Sequence, residues 1–388
     1  LDELVTFTSG GTPSKKKAEY WNGSIPWISA KTMKDEHIST SDLMISEEGL
    51  KNGSRLAPQG SILFLIRGSG LFNGIPICLV DKPVAFNQDV KCINSISEIE
   101  NKYVFYWLLS QASTLSAIVG VTTIGAGKFD MDVIKRLEIS YPEKEVRNEI
   151  IRIADAISDK IRLNTAINEN LEQQAQAFFT DLFITNAKPE WKTGTVSDLG
   201  DVVGGGTPSK KVEEYYTNDG IAWITPKDLS NDKSKFITHG ETDITDLGLA
   251  KSSATLMPRG SVLFSSRAPI GYIAIADGQV STNQGFKSIV PFDNVGTAYV
   301  YYFLKENLSA IENVASGSTF KEVSGGTMKN FPAVIPDDDT LAKFKQFCSP
   351  LLEQQRALEY ENRYLASLRD ALLPKLMNGE IDVSEVKI

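Results

Sequence analysis

The seven residues "GGTPSKK" stand at Gly10–Lys16 and again at Gly205–Lys211, and this recurrence constrains the fold more than any figure of composition. The match extends well beyond the seven. "AEYWNGSIPWISAKTM" (18–33) returns as "EEYYTNDGIAWITPKDL" (213–229), keeping Trp27/Trp223 and Lys31/Lys227. "PQGSILFLIRGSG" (58–70) returns as "PRGSVLFSSRAPIG" (258–271), keeping Arg67/Arg267, and "AFNQDVK" (85–91) matches "STNQGFK" (281–287). "YVFYWLL" (103–109) matches "YVYYFLK" (299–305), and "VIKRLEISYP" (133–142) matches "TMKNFPAVIP" (327–336). The offset stays between 194 and 200, and six phrases in one order make the chain a tandem duplication. "PEWKTGTV" precedes the second copy's equivalent of "LDELVTF", so the first copy is expected to lack part of its opening strand.

Each copy divides into a globule and a helix. Residues 1–142 and 185–336 carry short β-branched and aromatic runs such as "SILFLI", "IPICLV", "SVLFSS" and "GYIAIA", broken by Gly, Pro, Asn and Asp. This pattern predicts a mainly β, α+β globule. Within each, "KYVFYWLLSQASTLSAIV" and "AYVYYFLKENLSAIENV" are each expected to form one helix. Residues 143–184 form a proline-free helical stretch, and residues 337–388 hold its counterpart, interrupted by Pro350 and Pro374.

The long helices have a seven-residue apolar repeat. Phe344, Leu351, Leu358, Leu365 and Leu372 are seven apart, and Ile150, Ile157, Asn164, Leu171 and Phe178 fall at the same places in the first copy. Such a column predicts a coiled coil. The neighbouring column is weaker, with Gln355 and Asn362 in one copy and Ile161 and Asn168 in the other. Polar seam residues lower stability but fix register and partner. The alternative is two amphipathic helices, each packed on its own globule. Against it, some 38 residues at ~1.5 Å each make a rod of roughly 57 Å, longer than a small globule covers.

"GGTPSKK" invites a phosphate-loop reading that its residue order rejects. A Walker loop needs glycine directly before lysine and a hydroxyl directly after it. Here the order is hydroxyl, proline, hydroxyl, lysine, lysine, and proline removes a backbone N–H of the kind such a loop uses. A turn fits better: the glycines permit positive φ, and Pro13 and Pro208 rigidify the residues after them. The lysines Lys15, Lys16, Lys17, Lys210 and Lys211 could then meet DNA phosphates or simply be solvated. "TTIGAGKFD" (122–130), with Lys128, and "GSGLFNG" (68–74) read as turns.

Catalytic constellations are missing from the sequence. The three cysteines, Cys78, Cys92 and Cys348, are too scattered for a disulfide framework or a C-x-x-C metal site. His37 and His239 have no partner in the other copy and are expected at the surface. No [DNS]-P-P-[YF] methyltransferase motif, glycine-rich cofactor loop or P-D…[DE]-x-K nuclease cluster occurs. The sequence thus predicts a non-catalytic chain that binds neither metal nor cofactor. No apolar run approaches the roughly 20 residues of a membrane span, and the expected setting is the reducing cytoplasm. What remains is recognition. Arg67, Arg267, Lys31 and Lys227, with the pairs Asn87-Gln88 and Asn283-Gln284, are residue types suited to base edges and phosphates. Lys128 and Lys321 join them as candidates. For the Asn-Gln pairs, loop hydrogen bonding is the stronger reading, because base-reading positions should differ between copies that read different sequences. Retained basic residues suit sequence-independent phosphate contacts.

The net charge of −9 does not oppose this. The two helical segments carry 5 basic against 8 acidic and 7 against 10 side chains, so most of the excess lies there. The globules are nearly neutral and can present a basic face.

These phrases together resemble the specificity subunit of a Type I restriction–modification system, over essentially the whole chain. The carriers are "SGGTPSKKKAEYWNGSIPWISAKTM" (9–33), "GGGTPSKKVEEYY" with "IAWITPKDL" (204–229), "GSTFKEVSGGTMKNFPAVIP" (317–336) and "LASLRDALLPKLMNGEI" (365–381). The resemblance implies two target recognition domains, each reading half of a bipartite, asymmetric site on double-stranded DNA. It implies an antiparallel coiled coil holding them apart, with an internal pseudo-twofold symmetry. It further implies two methyltransferase subunits binding S-adenosylmethionine and, in the full complex, restriction subunits driven by ATP. A two-headed scaffold for another ligand is the other reading the residues leave open. Because the chain is acidic overall, partners would supply much of the phosphate contact. The isolated chain should therefore bind DNA weakly and lose binding steeply with salt, and the assembled complex should bind tightly. Equal affinities in a gel-shift titration with and without the methyltransferase subunits would contradict this.

Overall fold

A computed structural model describes residues 1–123, 125–317 and 321–386. Parts of "TTIGAGKFD" and "GSTFKEVSGGTMKNFPAVIP" therefore lie outside the described residues, as do the last two residues of the C-terminal segment. The chain forms two compact units, Leu1–Ile161 with Tyr364–Ile388, and Arg162–Arg363. Four helices organise them: α1 (Asn101–Ser110), α2 (Lys144–Thr180), α3 (Thr297–Glu306) and α4 (Asp338–Met377). Both α2 and α4 pass from one unit into the other.

In the first unit a five-stranded sheet runs in the order Val5–Ser9, Val90–Ser95, Ile62–Leu65, Ile77–Val80, His37–Ile38. In the second the order is Gly200–Gly204, Lys287–Pro291, Val262–Ser266, Ile270–Ala276, Phe236–Ile237. These are the same sheet strand for strand, down to the register: His37 pairs with Leu79 and Phe236 with Ile275, both in parallel at the sheet edge. A smaller four-stranded sheet in each unit carries Trp27 or Trp223. Every residue of Ile62–Leu65 and Ile77–Val80 is buried, which is why these strands are continuous apolar runs rather than alternating ones.

Helices α1 and α3 explain that burial. Tyr103–Leu108 and Ala298–Leu304 are buried on all sides, so each helix needs a sheet on one face and another cover opposite. The long helices supply that cover. In the first unit Ile150, Ile153 and Ala154 of α2 and Leu373, Leu376 and Met377 of α4 join the core around α1. In the second, Ala175 and Phe179 of α2 and Leu341, Phe344, Cys348 and Leu352 of α4 join the core around α3. The stretches read as single helices are each two: α1 stops before Gln111 and α3 before Asn307, and a short helix follows each break. Both break residues have backbone angles near φ −90°, ψ +10°, and Asn307 bonds back to the Phe303 carbonyl at 2.9 Å. Conversely, α4 runs unbroken through Pro350 and Pro374, held by buried Cys348 and Leu352 on either side of the first.

The two long helices are antiparallel where the second unit contains both. Asn164 meets Glu361 and Asn362 at 2.8 and 3.0 Å, Gln355 donates to the Asn168 carbonyl at 3.1 Å, and Phe178 stacks on Phe344 at 5.9 Å. Of the apolar column, Ile150, Ile157, Leu171 and Phe344 are buried, whereas Phe178, Leu351, Leu358, Leu365 and Leu372 are half-buried. In the neighbouring column of α4, Cys348, Gln355, Arg369 and Leu376 are buried and Asn362 is half-buried, because the column faces the globules as well as the partner helix.

A polar cluster fastens the second globule to the helices. Glu172 of α2 receives Lys235, Lys305 at 2.5 Å and the Tyr302 hydroxyl at 2.8 Å, and Lys235 also donates to Gln355 of α4 at 2.7 Å. Glu359 of α4 accepts the backbone N–H groups of Lys235 and Phe236. Burial alone would raise the Glu172 carboxyl, but the two ammonium groups outweigh it and hold it down at about 2. Its folded value lies below the ordinary 4.5, so the stabilisation is present above that pH and disappears as the pH falls from 4.5 toward 2. Glu359, raised by burial, works weakly in the opposite sense. Acid unfolding followed by the near-ultraviolet signal of the tyrosines should show a transition in that window, and Glu172→Gln should flatten it and lower the stability at pH 7.

Candidate nucleic-acid interface

The repeated turn is shaped by close approach, not by unusual dihedral angles. None of Gly10, Gly11, Gly205 and Gly206 has positive φ, which corrects the expectation drawn from glycine's freedom. A Cβ on Gly10 would lie 2.2 Å from the Phe86 carbonyl oxygen, and one on Gly205 1.9 Å from that of Asn283. Gly11 faces the end of the helix Glu47–Gly53, and Gly206 the backbone of Ser253–Ala254, just as closely. The indoles of Trp27 and Trp223 donate to the carbonyls of Gly11 and Gly206 at 3.0 and 2.9 Å. Thr12 donates to Gln88 at 2.6 Å, and Thr207 donates to Gln284. Sequence segments some 75 residues apart, the "GGTP" turn and the "NQ" loop, therefore form one latch in each globule.

This latch positions the candidates. Asn87 is buried; its Oδ1 accepts the backbone N–H of Asp89 at 3.0 Å, and Asn283 likewise accepts from Gly285 at 2.8 Å. Both asparagines close Asx turns. Gln88 and Gln284 stay exposed, one side-chain oxygen each held by the threonine. Lys15, Lys16, Lys210 and Lys211 are exposed, while Lys17 donates to the Tyr20 hydroxyl at 2.9 Å and lies over its ring.

In the second globule an open cleft of about 540 Å³ gathers Lys210, Lys227, Arg267, Asn283 and Gln284. Lys227 is paired with Glu241 at 2.6 Å, and Arg267 with Glu322 at 3.5 Å. In the first globule Arg67 stands directly across a strand pair from Lys128, both exposed. Arg67 also faces the Asp89 carboxylate at 3.8 Å, as Arg267 faces Glu322. Lys31 and Lys321 are exposed and lie outside these contacts. Lys287, which bonds the Gln284 carbonyl at 3.2 Å and faces Glu322, belongs to the cluster but was missed by sequence reasoning. Its signal was present: it is the final letter shared by "AFNQDVK" and "STNQGFK", as is Lys91.

The histidines take no catalytic arrangement. His37 is half-buried and 2.8 Å from Asp81, less exposed than expected because it lies in the sheet's edge strand, and His239 rests on Asp243 at 3.3 Å. Among the described residues no group of three or more His, Cys, Asp or Glu could hold a metal, and no helix is long and apolar enough to cross a membrane.

The family model described as the Type I restriction modification DNA specificity domain matches residues 1–173 and again 188–359. The Type I restriction enzyme MjaIX specificity subunit of Methanocaldococcus jannaschii is 37% identical over 183 residues, covering 46% of this chain and 42% of that protein. The HindI specificity subunit of Haemophilus influenzae is 26% identical over 325 residues, covering 64% of this chain and 70% of that one. The crystal structure of the Type I restriction–modification S subunit from M. genitalium shares the fold, with a TM-score of 0.55 at 14% identity over 97% of this chain and 94% of that chain.

The latch yields a direct prediction. Gly10→Ala or Gly205→Ala should destabilise the protein by roughly 1–3 kcal/mol, since the added methyl must displace backbone. Gly204→Ala, where nothing lies within 4 Å, should be nearly neutral. Urea melts of the three variants distinguish a packing requirement from a merely flexible turn.

Proposed function

Because the chain belongs to the Type I restriction–modification DNA specificity family, we propose that it reads a bipartite, asymmetric sequence in double-stranded DNA, one half per globule. The observation that carries this is duplication at the level of the site. Each unit holds most of one matched domain, and each builds the same latch with an arginine and lysines around it. The retained cations, Arg67/Arg267, Lys31/Lys227 and the lysines after each turn, suit phosphate contacts that set position without reading sequence. The parts that differ between globules, above all Lys128 against Glu322 beside the retained arginine, suit discrimination between half-sites.

The chain contributes recognition and no reacting group. Methyl transfer to adenine from S-adenosylmethionine would belong to two methyltransferase subunits docked on the helices, and ATP-driven cleavage to restriction subunits. The complex would act in the cytoplasm, where the DNA is. The paired helices would set the spacing between half-sites, which lie about one helical turn, ~34–36 Å, apart when they share a face of the duplex.

Methylome sequencing of the host with and without the gene tests this. Deletion should erase adenine methylation at one split, asymmetric motif, and restoring the gene should bring it back. An unchanged methylome in a host that expresses the methyltransferase partner would overturn the proposal.

A further inference from the structure

The two globules touch the long helices through equivalent positions whose charges are reversed. Glu36 and Lys235 occupy the same place in the fold. Each immediately precedes the edge strand, and each gives its carbonyl to the equivalent residue of the neighbouring strand, Leu79 or Ile275, at 2.7 Å. Glu36 meets Arg369 of α4 at 2.5 Å; Lys235 meets Glu172 of α2. The side chains of Arg369 and Lys235 are each only 8% exposed, so these are not solvated surface pairs. The helix positions are neighbours and not identical: the repeat offset of 194 that pairs Phe179 with Leu373 and Phe183 with Met377, all core residues, sets Glu172 at Ala366, within one helical turn of Arg369.

We propose that this reversal is a key that makes each globule accept the helix of the other half of the chain and refuse its own kind. The duplication creates the need. The two globules share a sheet, a register and a docking helix, so nothing in the backbone prevents two N-terminal halves, or two C-terminal halves, from pairing with each other. Such like–like pairs would set Glu36 against Glu172 in one case, and Lys235 with Lys305 against Arg369 in the other. Unlike pairing gives Arg369 and Lys235 their opposite charges, and like pairing sets charges of one sign together, which is heavily disfavoured where water cannot screen them. The partner selected by this surface is the other half of the same protein.

The test starts from the full chain, with a protease site placed in the exposed loop 186–190 and cut after folding. The nicked protein is unfolded in urea, refolded, and its fragment pairs are counted by native mass spectrometry. Random pairing would give as many unlike pairs as like pairs, and the wild type should exceed that ratio at least tenfold. Glu36→Lys, which copies the Lys235–Glu172 arrangement, should let N-terminal fragments pair with each other, whereas Glu36→Gln should do so much less. Random pairing in the wild type, or equal effects of Lys and Gln, would overturn the proposal. The uncut chain gives an independent reading that does not need refolded fragments. Glu36→Lys and Arg369→Glu should each lower the urea midpoint, and the double variant should recover most of the loss. Losses that simply add would show that the pair has no coupling and carries no key.

Discussion

The constraint on which the architecture depends is that α1 and α3 are apolar on every side. A helix of this kind cannot lie on a sheet with its outer face in water. Tyr103–Leu108 and Ala298–Leu304 are covered only because α2 and α4 lay buried residues across them. Each globule is thus incomplete without both long helices, and the helices are incomplete without the globules. The seam between them is rich in Asn, Gln and charged residues and would be a poor coiled coil alone. Its polar residues are tolerated because they also bond to the globule: Gln355 reaches Lys235 as well as the Asn168 carbonyl, and Glu172 collects two lysines and a tyrosine.

This division of labour separates two kinds of polar group. Those at the helices are buried, mutually satisfied and structural. Those around the "GGTP" turn are exposed at their tips and held at their bases, with Gln88 and Gln284 fixed by threonines and Asn87 and Asn283 closing turns. The three cysteines are buried, and burial pushes the thiols of Cys78 and Cys348 up to about 12. A surface of positioned cations and amides is suited to holding an anionic ligand.

Much of this was legible in the sequence because duplication acts as an internal alignment. Retained phrases marked the turn, the tryptophans and the central strands, and the seven-residue column marked the long helices. What the sequence concealed was tertiary in origin. The breaks at Gln111 and Asn307 depend on local side-chain bonding inside an otherwise helical pattern. The continuity of α4 through Pro350 depends on packing that overrides propensity. The glycines of "GGTPSKK" serve through their lack of a side chain and not through positive φ, and that need for space arises from a carbonyl contributed by residues some 75 positions away. The burial of the Gln355–Arg369 column could not be foreseen from helix periodicity alone, because the globules rather than the partner helix enclose much of it.

The latch also divides the chain into what can drift and what cannot. Gly10 and Gly205 face backbone atoms, so almost no side chain of any chemistry fits there, whatever ligand the protein meets. Arg67 and Lys128, by contrast, are exposed residues placed opposite each other by strand pairing, and the equivalent place beside Arg267 already carries a glutamate. Exposed side chains on such paired strands can be exchanged without disturbing the fold that presents them. The design separates exposed positions, whose chemistry is free to vary, from a frame kept constant by the absence of side chains.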